Sequence, residues 1–217
     1  NGGGGDDIFL IGLGDGFDIF NGGTGTDWVK ATDDNVTIGI HTNFTTGAVE
    51  HISADGYGGV TILGSNSQHN VMDFSATTLT GIAAIDGGFG NDTIIGSTGD
   101  DTIIGNTGND NVMAGAGDDT VIWRVGDGND TINGGSNSAA GDTLMVQSTA
   151  ASQTITLQTP GSGGTGFTVT SGSHTVQVDD IEEVVVDFSA GAGTLNVIGD
   201  FASSGINVST ISVDGGS

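Results

Sequence analysis

The chain has 217 residues, and its 27 acidic side chains face only Lys30 and Arg124, for a formal charge of −25. A surface of that sign repels nucleic acid and anionic membranes, and the chain repels itself until cations neutralise it. Cysteine is absent, which excludes disulfides and thiolate zinc sites, and 42 glycines against nine Phe, two Trp and one Tyr exclude a thick globular core.

Residues 1–30 open on glycine-rich units. GGGGDDIFL, Gly2 to Leu10, places Gly3 and Gly5 in a turn and Asp7 just before an apolar run, with Asp6 as an alternative. LGDGFDIFN supplies Asp18, and GGTGTDWVK, Gly22 to Lys30, repeats the pattern with Gly23, Gly25 and Asp27. Residues 31–86 lose these turns. Their runs VTIGI and GVTIL are β-branched and bounded by small polar residues, so they read as strands.

From residue 87 to 122 four nine-residue units follow without a gap: GGFGNDTII, GSTGDDTII, GNTGNDNVM and AGAGDDTVI. The sixth place is Asp92, Asp101, Asp110 or Asp119, and the eighth is Ile94, Ile103, Val112 or Val121. Gly88, Gly90, Gly99, Gly108, Gly115 and Gly117 shape the turns, because glycine takes positive φ without steric cost and lets carbonyls turn inward around a small ion. The last three residues of each unit form a short strand whose eighth-place side chain points to the core. A strand that short must reverse at the next turn, so two units, 18 residues, complete one coil and set Asp92 over Asp110 and Asp101 over Asp119. Parallel coils lie about 4.8 Å apart. Two bare carboxylates at that spacing repel by about 3.5 kcal/mol at an effective dielectric near 20. The repulsion recurs on every rung, so cations belong between them, and an irregular cage of hard oxygens suits calcium better than magnesium or zinc. The fold class this predicts is all-β, a parallel β-roll or β-solenoid.

VGDGNDTIN then adds Asp130, eleven residues beyond Asp119 as Asp18 is beyond Asp7. DDIFLIGLGDGFDIFNGG (Asp6 to Gly23) thus parallels DDTVIWRVGDGNDTINGG (Asp118 to Gly135), an internal duplication. Asp142 is a weaker candidate because its unit carries an insertion. In 143–217 the runs TITLQ, FTVT, TVQV, EEVVVDF and TLNVI read as strands. DFSATTLTGIAAIDGG (Asp73 to Gly88) resembles DFASSGINVSTISVDGG (Asp200 to Gly216), so 31–86 and 143–213 read as two copies of one element. They form either wider coils that continue the solenoid or separate small antiparallel sheets. The chain divides into glycine-turn blocks at 1–30 and 87–142 and strand-rich segments at 31–86 and 143–217.

The tandem units resemble the RTX family, the hemolysin-type calcium-binding repeats with consensus G-G-x-G-x-D-x-U-x. The resemblance implies a parallel β-roll that binds several calcium ions through sixth-place aspartates and turn carbonyls. It also implies a chain secreted unfolded, usually by a type I system, that folds outside the cell. The metal ligands carried over are Asp7, Asp18, Asp27, Asp92, Asp101, Asp110, Asp119, Asp130 and Asp142, with the turn glycines named above.

Other constellations carry less. His41, His51, His69 and His174 show no ligand spacing, and paired carboxylates such as Asp100 with Asp101 follow from the repeat. Trp28, Trp123 and Tyr57 read as covers over loops, with sugar stacking as the alternative. Asp179, Asp180, Glu182 and Glu183 read as a solvated edge, with a further calcium site as the alternative. There is no signal peptide or 18-residue apolar run, and the chain reads as a piece of a longer one. Writing Ser217 before Asn1 gives DGGSNGGGGDDIFL, which aligns with NGGSNSAAGDTLMV, Asn133 to Val146, so neighbouring copies are the expected partners. The expected function is non-enzymatic: a calcium-stiffened repeat of a large secreted or cell-surface bacterial protein, such as an adhesin extender, surface-layer component or filament. A module for cell-surface polysaccharide is the alternative, and a β-helical lyase or epimerase ranks last because Lys30 and Arg124 are its only cations.

Overall fold

A computed structural model describes residues 1–66, 69–137, 140–160, 166–189, 191–199, 201 and 210–215. Among them every regular element is a strand. Nine parallel strands form the longest sheet: Phe17–Asp18, Thr37–Ile40, Thr61–Gly64, Ala84–Asp86, Thr102–Ile104, Thr120–Arg124, Thr143–Gln147, Glu183–Phe188 and Thr210–Gly215. A second sheet faces it with Val71–Asp73, Thr93–Ile95, Asn111–Ala116 and Thr131–Ser136, also parallel. The third sheet, Ile8–Ile11, Trp28–Ala31, His51–Ser53 and Thr78–Thr80, exists only in the first part of the chain.

The coil therefore changes cross-section. Between residues 28 and 86 each turn visits three sheets, and the parallel bridge from Phe44 to Met72 starts the second sheet inside this segment. From residue 87 the chain alternates between two sheets. The register there joins Ile94 to Val112 and Ile103 to Val121, the 18-residue step that two nine-residue units dictate. Ile94, Ile103, Val112 and Val121 are all buried, with Ile132 continuing the first column after Val112 and Leu144 the second after Val121. In the wider coils Phe44 and Phe74 fill the extra width, stacked with ring centroids 4.8 Å apart.

The parallel ladder runs across residues 31–86 without a break, as wider coils of one solenoid. The last segment combines both expected arrangements. Glu183–Phe188 and Thr210–Gly215 extend the longest sheet in parallel, while Thr154–Gln158, Phe167–Ser171 and His174–Asp179 enter the second sheet as an antiparallel meander. Its turn is tight: Ser171 faces His174 across a two-residue loop, and Gly172 supplies the positive φ of 62° that such a loop requires. The likeness of Asp200–Gly216 to the earlier segment, and the joining of Ser217 to Asn1, rest largely on residues outside the described ones.

Candidate metal-binding turns

Each strand of the roll begins one residue before a core side chain, and the residue just ahead of the strand carries the carboxylate. Their registers stack them into columns. In one, the backbone N–H of Asn70 donates to Asp92 Oδ1 at 2.6 Å, that of Asp92 to Asp110 Oδ1 at 2.8 Å, and that of Asp110 to Asp130 Oδ1 at 2.8 Å. On the opposite edge Asp101 donates to Asp119 Oδ1, Asp119 to Asp142 Oδ1 and Asp142 to Glu182 Oε2, each at 2.8 Å. A shorter column heads the third sheet, where Asp7 donates to Asp27 Oδ1 and Asp27 to Glu50 Oε2, both at 2.8 Å.

One oxygen of Asp27, Asp92, Asp110, Asp119, Asp130 and Asp142 thus takes the neighbouring coil's N–H. The other turns into the glycine loop. Asp7, Asp92, Asp110, Asp119 and Asp142 each keep Oδ2 buried with no hydrogen-bond partner. A buried acceptor left in that state costs about 1–3 kcal/mol, and more when charged. At Asp7, Asp27, Asp92 and Asp110 the loops leave room for the inward oxygen because their first residue is glycine. A Cβ on Gly2 would lie 2.2 Å from Asp7 Oδ2, on Gly22 2.1 Å from Asp27 Oδ2, and on Gly105 2.7 Å from Asp110 Oδ2. Carbonyls share the space: at Gly87 the same position meets Asp92 Oδ2 at 2.9 Å and the Gly105 carbonyl at 2.6 Å.

The electrostatics follow the burial. Desolvation pushes the Asp110 carboxyl up to about 8; the Asp92 N–H opposes the rise, and the charges of Asp130, Asp92 and Asp127 add to it. Burial likewise raises Asp119 to about 7 and Asp92 and Asp130 to about 6, and it raises Asp101 and Asp142. Without a cation these turns hold carboxyl groups that ionise with difficulty.

That donor set fits a hard divalent cation. Among the described residues no three His, Cys, Asp or Glu side chains converge as a metal cluster. The ligands must therefore include backbone carbonyls, which a calcium shell of six to eight oxygens accepts. Asp7, Asp27, Asp92, Asp110, Asp119, Asp130 and Asp142 are the residues that would hold it. Bound there, calcium supplies the positive charge that the inward oxygens lack.

The sequence-predicted residues divide clearly. Of the turn glycines, Gly3, Gly5, Gly23, Gly25, Gly88, Gly90, Gly108, Gly115 and Gly117 have positive φ, and Gly99 does not. Asp142 sits fully in its column despite the insertion before it. Asp18 stands apart, because its register pairs it with Ile40, which offers no carboxylate to continue a column. Asp101 spends its second oxygen on the Ser97 N–H of its own turn, at 2.7 Å. Glu50, Glu182 and Asn70 occupy column positions that the repeat pattern does not mark. What they share with the aspartates is an acidic or amide residue two places before a buried one, Ile52, Val184 or Met72.

Fifth-place residues form a second ladder with the opposite polarity. Asn91 Oδ1 accepts the Asn109 N–H at 2.8 Å, Asn109 Oδ1 that of Asn129 at 2.9 Å, and Asp100 Oδ1 that of Asp118 at 2.9 Å. Each coil is thus tied to the next from both directions, and the paired carboxylates of GDD are used structurally. Trp28, a sugar-stacking candidate, has one ring face covered by His51, with centroids 4.1 Å apart. Trp123 is buried.

Parallel coils closed by glycine turns, with inward carboxylate oxygens stacked rung on rung, define a β-roll. Residues 86–121 and 124–138 match the RTX calcium-binding nonapeptide repeat, in four copies, so the chain carries repeats of the calcium-binding type. Neither a curated protein nor a solved structure matches the chain.

Proposed function

We propose that this chain is a non-enzymatic structural repeat of a large extracellular bacterial protein, such as an adhesin extender, surface-layer component or filament, that stiffens when it binds several calcium ions. The observation that carries this reading is the set of buried, partnerless Oδ2 atoms on Asp92, Asp110, Asp119 and Asp142. They make the metal-free coil costly, so calcium binding and folding are one equilibrium. A chain that stays unfolded at low calcium suits export before folding. Repeats of this kind typically occur in secreted proteins, and among the described residues no helix is long and apolar enough to cross a membrane.

Neighbouring copies are the partners, since a parallel sheet edge accepts a further coil by strand addition. Polysaccharide binding is less favoured because His51 covers the Trp28 ring, and lyase chemistry because Lys30 is engaged by Asp55 at 3.1 Å. The test is far-UV circular dichroism of the full chain in chelator, magnesium and millimolar calcium. We expect disorder in chelator, β structure in calcium and poor substitution by magnesium. Equal β content with and without chelator would refute the reading.

A further inference from the structure

The chain contains three glutamates, Glu50, Glu182 and Glu183. Two of them stand at the end of a carboxylate column. Glu50 Oε2 takes the Asp27 N–H and Glu182 Oε2 takes the Asp142 N–H, each at 2.8 Å, the role that Asp Oδ1 plays on every earlier rung. Both lie where the coil widens. The register step from Asp27 to Glu50 is 23 residues and from Asp142 to Glu182 is 40, while the steps that an aspartate closes run from 18 to 23. Both glutamates reach the same N–H across a turn that is no longer a nonapeptide.

At Glu182 the surroundings are those of a ligand site. Asp142 is fully buried, and its Oδ2 has no hydrogen-bond partner. A Cβ on Gly134 would lie 2.6 Å from that oxygen and 1.9 Å from the Asp180 carbonyl oxygen, so both border one small space free of side-chain atoms from Gly134. Asp180 is one of the few non-glycine residues with positive φ, 50°, a conformation that costs an L-residue roughly 1–2 kcal/mol. It is held by Asn133, whose Nδ2 donates to its Oδ2 at 2.9 Å. The backbone there is thus set at some cost with its carbonyl beside an unsatisfied carboxylate oxygen. Glu182 borders the same rung, since its Oε2 accepts the Asp142 N–H at 2.8 Å.

We propose that Asp142, Glu182 and the Asp180 carbonyl form a divalent-cation site outside the matched repeats, with glutamate as the terminal ligand that closes the column. The site rests on the calcium-dependent reading above and deepens it: the column ends in a glutamate because the last ion needs a carboxylate on its far side after the nonapeptide geometry has stopped. Glu50 ends the Asp7–Asp27 column in the same way. Asp180 and Glu182, within the Asp179 to Glu183 run, are then metal ligands, while Glu183 stands outside the site with its Oε1 accepting from Ser212 Oγ.

The test compares Glu182→Gln with Glu183→Gln in the full chain, counting bound calcium by equilibrium dialysis and following folding by circular dichroism. Glutamine keeps an oxygen for the Asp142 N–H and removes only the charge. Glu183, whose Oε1 accepts from Ser212 Oγ at 3.2 Å, removes an equal charge one residue away. We expect Glu182→Gln to bind one ion fewer than the wild type and Glu183→Gln to keep the full complement. An unchanged ion count and calcium midpoint in Glu182→Gln, or an equal loss in both variants, overturns the proposal. If Glu182→Gln does not fold, calcium anomalous diffraction from the wild type decides. Density beside Asp142 and Glu182 supports the site, and density at the Asp92–Asp110 turn without any there overturns it. A wild type that binds no calcium at all overturns the function as well, so the two failures are distinguishable.

Discussion

Gly99 and Gly108 hold the same fourth place in adjacent nonapeptides, yet replacing each with alanine has opposite expected results. At Gly108 φ is 151°, and a Cβ would lie 1.5 Å from the Gly90 carbonyl oxygen of the coil beneath and 2.5 Å from its carbon. Restoring a normal contact of about 3.0–3.4 Å means opening the turns by roughly 1.5–2 Å, about a third of the spacing between coils. The Gly90 N–H bond to the Thr107 carbonyl, now 2.9 Å, and the Gly108 N–H bond to Asp127, 2.8 Å, cannot both survive that shift. One lost bond with its groups left unpaired costs about 2–4 kcal/mol, and the positive φ adds about 1–2 kcal/mol. Gly99 has no positive φ, and the nearest atom to its Cβ position is Ser97 Oγ at 3.9 Å. There, alanine reduces unfolded-chain entropy and is neutral or stabilising by up to about 1 kcal/mol. At roughly 2–4 °C per kcal/mol, thermal melting in saturating calcium should fall by about 6–24 °C for Gly108→Ala and stay level or rise slightly for Gly99→Ala. Equal losses, or a tolerated Gly108→Ala, would show that the coils are not packed backbone to backbone as described.

Asp142→Ala should raise the calcium midpoint of folding as much as Asp110→Ala, because both carboxylates accept an N–H and bury a partnerless oxygen; a much smaller shift for Asp142→Ala in a calcium titration contradicts this. The raised carboxyls give a sign to the pH dependence. Their folded pKa values, up to about 8 at Asp110, exceed the ordinary 3.8, so the metal-free fold binds more protons than the unfolded chain between those limits and loses stability as pH rises through them. Circular dichroism in chelator should show β structure gained on acidification from pH 8 towards 4, and the calcium midpoint should fall as pH rises; β content that grows with pH in chelator contradicts both. Ile103→Ala, at a fully buried eighth place, should cost about 2–5 kcal/mol in calcium, whereas Ile104→Ala, half-buried beside it, should cost clearly less; equal melting temperatures refute the inward facing of the eighth residue.

The roll itself is legible in the sequence because glycine, aspartate and a β-branched residue recur at fixed offsets, and each offset has one steric solution. The 18-residue register and the buried Ile94, Ile103, Val112 and Val121 follow from that alone. Column membership outside the nonapeptides is not legible from spacing, because it is decided by which residue lies one coil away. Asp18 and Asp130 occupy matching places in the duplicated stretch, yet Asp130 lies over Asp110 while Asp18 lies beside Ile40. Asp142, Glu50 and Glu182 join columns although their units are irregular, since a parallel ladder sets Leu144 beside Val121, Ile52 beside Val29 and Val184 beside Leu144. The antiparallel meander had a local signal in Gly172-Ser173 between strand runs, a two-residue turn that favours a hairpin over another coil.

The inward oxygens of the stacked aspartates should hold calcium. Crystallography of the full chain in calcium, with anomalous data that mark the ion, tests this. Anomalous peaks are expected at the glycine turns within about 2.3–2.6 Å of the Oδ2 atoms of Asp92, Asp110, Asp119 and Asp142, with turn carbonyls completing each shell. A folded roll in calcium whose Oδ2 atoms contact only water or protein donors, with no anomalous peak at those turns, contradicts it.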